Sequence, residues 1–524
     1  VTAAAAVVAA AVAVALLALL GFARSFDGFG GDQALFAVGA QKLHAGGVLY
    51  RDFWDLKQPG IFVFYLGAGL ASGFSQTGIH LVEVVWQCAF GFALFLALRP
   101  AVARPSMAAL AIVFVPLAYY AGTSGWHLTQ VEPLVGLPLF LVAWAAVAAV
   151  ESRRGRGRAA FLCGLAAGIV AIFKLLLLPV ALAIIVAVVF IEPSGLGRSK
   201  RLRRSEGFGR IGALGGLDRG EVARLAPWWL LGLAIPIVGF LAYVLAFGIT
   251  SEVMSTFFTL PSQIVAGGRA PFARLAQSGS WFLHLYGWLA VLAVAGELRM
   301  RRWPDAWRRG CYAWLAAGVV AILVQTQSWW EYQFILLLPP LGILATLGVD
   351  ALIAATAERK LDRRVVVLLP ILLIPAAPLA RHAIDALLGV VIERPFASAA
   401  ALDRYRVRES GDYAAALRSA AYLASEPNAT SPVFVCGNPL VYVLAHREQS
   451  AAINGWALEL YPDYWWAKLI GELRVARPAD IFLSNDYAPL IATRAPTFDS
   501  LLRAEYKRAA RLPDGTWYRL KPPV

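Results

Sequence analysis

Charge is what this sequence has least of. Only 15% of its 524 residues are Asp, Glu, Lys or Arg, against about 25% in soluble globular domains. Hydrophobic residues make up 59%, above the usual roughly 45–50%, and the mean hydropathy is +0.64. A soluble chain of this length would divide into several domains, each needing a charged surface, and there is too little charge to cover them. That excludes a soluble cytosolic enzyme, and the same composition excludes a disordered chain, a collagen and a coiled coil. A polytopic membrane protein remains. Cysteine is equally scarce: Cys88, Cys163 and Cys311 lie in apolar runs, and Cys436 stands alone in a polar region. No two share a metal-ligand spacing, so neither a zinc site nor a disulfide framework is implied. His44, His80, His127 and His284 show no ligand spacing either. Internal repeats are missing, and low complexity is confined to the Ala-rich start. Val1–Phe22 lacks a basic n-region and is long for a signal peptide, so it reads as a first transmembrane helix.

A spanning helix needs about 20 apolar residues. Eleven runs fit, near 2–23, 77–98, 106–121, 128–150, 159–173, 175–191, 227–248, 280–297, 311–326, 333–353 and 365–380. With a cytoplasmic N-terminus, the loops expected inside hold 23 Lys and Arg and those outside hold 7. The net charge of +14 therefore reads as loop orientation and contact with anionic membrane lipids, not as nucleic-acid binding. This sorting requires that Pro59–Gly73, apolar but only 15 residues long and Gly-rich, does not cross. It is expected as a re-entrant or interfacial helix within one long outside loop, 24–76. The expected topology is N-in, C-out, in the plasma (inner) membrane of a bacterium. Gly207–Gly212 matches GxGxxG formally, but it follows no strand and lies in a basic loop, so it is read as loop. From about Ala397 the apolar runs shorten. Pro432–Gly437 and Asp480–Asn485 read as buried strands, Thr516–Leu520 as a last strand, and Asp412–Ser425 and Tyr464–Val475 as amphipathic helices. The expected division is a membrane module, 1–391, and a small external α/β domain, 392–524.

The most informative stretch is the first outside loop, with Asp27, Asp32, Arg51, Asp52, Asp55 and Lys57 beside apolar helices. Asp32 opens a helical run, Gln33–Leu43, which puts its carboxylate at a helix N-terminus. Lys57 precedes Pro59 and a short apolar helix, which puts an ammonium at the height of lipid phosphates. An acid and a cation at that level suit a reaction on a lipid-linked phosphate.

The same stretch resembles the GT-C type membrane glycosyltransferases, in particular the group of the dolichyl-phosphate-mannose–protein mannosyltransferases and the lipid A aminoarabinose transferase. Asp32-Gln33-Ala34-Leu35-Phe36-Ala37 resembles that group's D-E-x-x-Y-A, with Gln for the second acid. Gly46, Tyr50, Asp52, Asp55 and Lys57-Gln58-Pro59 resemble its Gly, Tyr and K-P-P segment, with Gln58 for the first Pro. Weaker matches are Gln130-Val-Glu132-Pro, Lys174 between two spans, Glu331-Tyr332, and the tail segment Phe434–Tyr442. The resemblance implies a GT-C-like, all-α membrane module of about eleven helices and an inverting transfer from a polyprenyl-phosphate-sugar donor to a glycan, lipid or protein acceptor on the outside face. It leaves a divalent cation open as a cofactor.

On that reading Asp32 is the general base, with Asp27 the second choice, its loop bounded by Gly28, Gly30 and Gly31. Lys57 meets the leaving phosphate, helped by Lys174, Arg269 or Arg274. Tyr50, Arg51, Asp52 and Asp55 line the substrate site, or the two acids organise the loop by pairing with Arg51 or Lys57. Glu132 is a helix-start acid or a pocket residue. Trp329, Trp330 and Tyr332 are an interface belt or a surface for sugar or prenyl stacking. Loop 249–279 is a cover or a connector, and Trp465-Trp466 packs the tail domain or offers an acceptor surface. The competing reading is a transporter or flippase for a polyprenyl-linked substrate. That would need charges near the bilayer midplane and repeated halves.

Overall fold

The computed structural model describes residues 3–151, 155–190, 217, 219–266, 268, 270–300, 305–357, 374–426 and 430–522. Among these, eight helices are long and apolar enough to cross a bilayer: Ala3–Arg24, Gln76–Leu98, Pro105–Gly122, Val131–Glu151, Arg156–Phe173, Arg219–Phe247, Phe272–Leu298 and Glu331–Ala355. Three of the eleven expected spans are not among these eight. Leu175–Val189 is apolar but short. Ala306–Leu323 carries Arg308 and Arg309 in its first turn. The run 365–380 lies mostly outside the described residues, as do the Gly207–Gly212 motif and Arg269.

The two arginines explain why the sixth and ninth expected spans pack as a pair. Arg309 is buried and donates from Nε and Nη2 to the carbonyls of Ala187 and Val188 (3.1 and 3.3 Å). Those carbonyls end the helix Leu178–Val189, where backbone acceptors lack helical partners and a cation is favoured. Helices that must associate in lipid do so by close approach of small residues. A Cβ at Gly164 would lie 2.0 Å from the Trp229 carbonyl oxygen, so Arg156–Phe173 and Arg219–Phe247 meet backbone to backbone. The outward faces are apolar. On the first helix Val7, Val8, Val12 and Leu19 are all more than half exposed.

Between the first two spanning helices the chain folds back on itself. Gly31–His44 and Pro59–Ser72 are 14 residues each, about 21 Å at 1.5 Å per residue. That is short of the roughly 30 Å hydrocarbon core. Both pack into the main core through Phe36, Ile61, Phe62 and Tyr65.

The C-terminal part forms a four-stranded sheet in the order β1-β2-β4-β3. β1 (Val433–Cys436) runs parallel to β2 (Asp480–Ser484). β4 (Gly515–Leu520) is antiparallel to β2 and to β3 (Tyr506–Leu512). Helices Gly411–Ala424 and Asp463–Ala476 cover it, within a residue or two of their expected places. β3 was not expected. Its sequence, Tyr-Lys-Arg-Ala-Ala-Arg-Leu, is mostly exposed, because an edge strand pairs on one side only and charged residues there block further pairing. The sheet's core includes Trp54 from the first loop, packed with Phe434, Trp465 and Leu469. The loop and the C-terminal region therefore share one hydrophobic cluster.

Candidate functional site

Asp32 sits in the first turn of Gly31–His44, as its sequence context implies. Its Oδ1 accepts from the Trp456 indole at 2.8 Å, and its Oδ2 lies 3.6 Å from the Lys57 ammonium. Trp456 reaches this carboxylate because residue 31 is glycine: a Cβ there would lie 2.1 Å from the indole ring. Both ionic side chains keep an opening to solvent, 24% exposed for Asp32 and 28% for Lys57. Lys57 also lies over the rings of Phe36 and Tyr332, 5.9 and 5.8 Å from their centroids. Burial alone would lower its ammonium pKa. Tyr332, Asp32, Asp55 and Glu132 outweigh that and hold it above the ordinary lysine value, so it is a permanent cation.

A second ion pair stands beside the first. Lys174 lies in the extended residue between Arg156–Phe173 and Leu178–Val189, and its ammonium touches Glu132 Oε1 and Gln325 Oε1, both at 2.7 Å. Glu132 is 2% exposed and would be costly there without this partner. Burial lowers the Lys174 pKa, with Glu132 acting against the shift and Lys57 with it. The two lysines approach because Gly60, three residues after Lys57, abuts the backbone of Phe173. A Cβ there would lie 2.8 Å from the Phe173 Cα.

The remaining loop residues divide by role. Tyr50 is buried and donates to the Lys57 carbonyl oxygen at 2.9 Å. Asp52 accepts from the Val48 N–H and pairs with the exposed Arg51, so these two shape the loop. Asp55 is not within ion-pair distance of Lys57. Burial pushes its carboxyl up to about 7, Lys57 opposes this and Asp32 adds to it, and backbone N–H groups of Leu56 and Lys57 partly stabilise the charge. Asp27 faces other partners: Arg24 at 3.1 Å and the Tyr405 hydroxyl at 3.3 Å. Arg274 stacks on Trp330, 4.4 Å from the ring centroid. His127 lies near Tyr332, and burial lowers its imidazole to about 4, with Asp32 and Glu132 pulling the other way, so it is neutral at pH 7.

Four residues that sequence reading passed over hold this arrangement. Gln33 is fully buried. Its Oε1 accepts from the Gly30 N–H, and its amide donates to the carbonyls of Gly125 and Leu128 (3.0 and 2.6 Å). A second acid at this place could not donate those two bonds, which gives the Gln a physical purpose. Glu83 holds the next residue, Thr129, whose φ of +51° lies in the left-handed region. Glu83 accepts from the Thr129 N–H (2.9 Å), the Thr129 hydroxyl (2.8 Å) and the Tyr119 hydroxyl (2.7 Å). His80 Nδ1 lies 2.8 Å from the same threonine hydroxyl. The 125–129 turn thus links Asp32's helix, through Gln33, to Glu132. Trp456 is the fourth. The only sequence signal for Glu83 and His80 was an i,i+3 pair of ionisable residues inside an apolar helix.

Among the described residues no three His, Cys, Asp or Glu side chains gather as ligands.

Glu83→Ala removes the acceptor shared by the Thr129 N–H and the Thr129 and Tyr119 hydroxyls. The Tyr119 hydroxyl and His80 stay within reach of Thr129, so the expected cost is about 1–3 kcal/mol in all. Its thermal midpoint in detergent should fall below that of Glu83→Gln, whose amide oxygen still accepts. Equal midpoints would refute the role of Glu83 in holding Thr129. Asp55 gives a pH test. Its folded value, about 7, lies above the ordinary 3.8, so between these the folded chain holds a proton that the unfolded chain releases. Stability therefore declines as pH rises through that window and levels off above it. The midpoint difference between Asp55→Asn and the parent should change across this window. A constant difference would show that Asp55 is ionised throughout.

No protein-family model and no curated protein matches the sequence. Solved structures do. The crystal structure of ArnT from Cupriavidus metallidurans bound to undecaprenyl phosphate aligns over 98% of this chain and 97% of its own, with a TM-score of 0.56 and 15% identity. Its apo form aligns over 97% of both, with a TM-score of 0.57 and 15% identity. The resemblance read from residues 27–60 is met at the level of architecture: from end to end, this chain has the GT-C type fold of the ArnT structures.

Proposed function

We propose that the chain is an integral membrane glycosyltransferase that moves a sugar from a polyprenyl-phosphate carrier to an acceptor hydroxyl on the extracytoplasmic face, with inversion. The observation that carries this is the Asp32 carboxylate 3.6 Å from the Lys57 ammonium, in a fold shared with a structure that holds undecaprenyl phosphate.

Each group has a task. Asp32 takes the proton of the acceptor hydroxyl as its oxygen attacks the anomeric carbon. The Trp456 N–H holds the carboxylate's other oxygen and fixes its orientation. The bond to the phosphate breaks, and the leaving lipid phosphate gains negative charge. Lys57 meets that charge and Lys174 supports it, and fixed cations placed where charge develops lower the barrier. A single displacement of this kind inverts the anomeric centre. In the resting site each lysine is balanced by a carboxylate, so the phosphate displaces a neighbour rather than entering a bare cationic hole. Asp55, held near neutrality, adds little negative charge beside it. Asp27, Tyr50, Arg51 and Asp52 support the loop, and Glu132 sets the position of Lys174. The donor's prenyl chain and the membrane lipids lie along the apolar helices. The acceptor is a glycan, lipid or protein.

The flippase reading finds no support in the placement of charge. Glu83 and His80 do lie inside the spanning helix Gln76–Leu98, but both bond to Thr129, two residues before the helix Val131–Glu151 begins, so they act as braces for that turn. We further propose that the N-terminus is cytoplasmic, that Pro59–Ser72 does not cross, and that residues 1–391 and 392–524 are the membrane module and the external domain.

Asp32→Asn should retain undecaprenyl-phosphate binding and lose about 10²–10⁴-fold in sugar transfer, measured with a radiolabelled polyprenyl-phosphate sugar. Full transfer activity would remove Asp32 from the mechanism. A single cysteine at Leu66 in a cysteine-free background should react with a membrane-impermeant thiol reagent applied from outside. Reaction only from the cytoplasmic side would overturn the topology.

A further inference from the structure

A cleft of about 170 Å³ opens where three distant segments meet: the first loop at Trp54, the helical stretch Thr250–Thr259, and the C-terminal helix Asp463–Ala476. We propose that this cleft is a saccharide-binding subsite that takes a sugar residue of the acceptor. The word acceptor rests on the glycosyltransferase reading above; the binding of a sugar does not.

The floor is aromatic. Trp54 and Trp465 lie with centroids 4.8 Å apart and planes inclined at 57°, and each is 3% exposed. At that burial the two indoles form a rigid wall behind the opening rather than an open stacking face. The rim is polar and carries both signs of charge. Glu252 accepts from the Ser251 hydroxyl at 2.7 Å. Lys468 lines it too, its ammonium 4.5 Å from the Trp465 ring centroid. Thr256 takes the Trp54 indole N–H at 3.0 Å. The Trp465 indole N–H, by contrast, is buried and has no hydrogen-bond partner among the described residues. Aromatic walls with a few placed polar groups are the make-up of small-molecule sites. Here an acid and a cation both line the opening. A prenyl chain would leave Glu252 and Lys468 unsolvated, and an anionic headgroup would meet Glu252. A neutral polyhydroxylated ring satisfies both.

The cleft also stands in the right place. The Trp54 N–H donates to Ala452 and its carbonyl accepts from Asn454. Two residues further, Trp456 donates to Asp32. One short strap, 452–456, therefore joins the cleft wall to the general base. Tyr50, another wall residue, holds the Lys57 carbonyl.

The test uses the full chain in lipid nanodiscs. Saturation-transfer NMR is run against a panel of neutral hexose, pentose and N-acetylhexosamine oligosaccharides. At least one should bind, and the double variant Glu252→Ala/Lys468→Ala should weaken it about tenfold or more while undecaprenyl phosphate binds as in the parent. Binding by none of the panel, or equal binding by the double variant, would overturn the subsite. If the parent binds a sugar but no undecaprenyl phosphate, the donor reading fails and the subsite stands.

Discussion

An ion held against hydrocarbon must be answered by another ion, and the architecture around the first loop follows from that requirement. Lys57 and Lys174 stand where two short or broken helices leave the apolar layer. Alone, each would lose its proton or its place. Asp32 and Glu132 keep them charged. Bringing four such groups together demands close backbone approach, which Gly31 and Gly60 allow. It also demands a rigid turn to carry Glu132 to Lys174. The Asp32–Lys57 pair keeps an opening to solvent, whereas Glu132 is buried behind Lys174.

The turn at 125–129 shows how polar groups inside a membrane protein can serve position rather than chemistry. Every polar atom of Thr129 is engaged: its N–H and hydroxyl by Glu83, its carbonyl by Tyr65 at 3.3 Å. A left-handed residue that is not glycine persists only when its surroundings over-determine it, and here they do. Gln33 grips the same turn from the other side. Asp32 and the second ion pair are therefore parts of one braced unit, although Asp32 and Glu132 are a hundred residues apart.

The C-terminal region closes the site and is more than an appendage on an anchor. Trp54 belongs to its core, Trp456 reaches back to Asp32, and Arg406 donates to the Phe26 carbonyl at 3.1 Å. Their long range in sequence is why none of these contacts could be read in advance. A tryptophan in a polar tail looks like local packing until the glycine it lies against, more than four hundred residues earlier, is known.

Much was legible from the chain alone, because composition and hydropathy act locally. Scarce charge fixed a membrane protein, apolar run lengths located most of the helices, and alternating short runs marked β1, β2 and β4. Asp32 and Lys57 stood out because charge beside hydrocarbon is expensive wherever it occurs. What sequence could not decide was partnership. Run length does not show what Arg308 and Arg309 do at the start of Ala306–Leu323. The edge strand β3 has no buried face to leave a pattern. Whether Lys57 meets Asp32 or Asp55, whether Asp27 joins them, and what Glu83, Gln33 and Trp456 are for depend on which backbones approach within a few ångströms. Only the packed tertiary structure sets that distance.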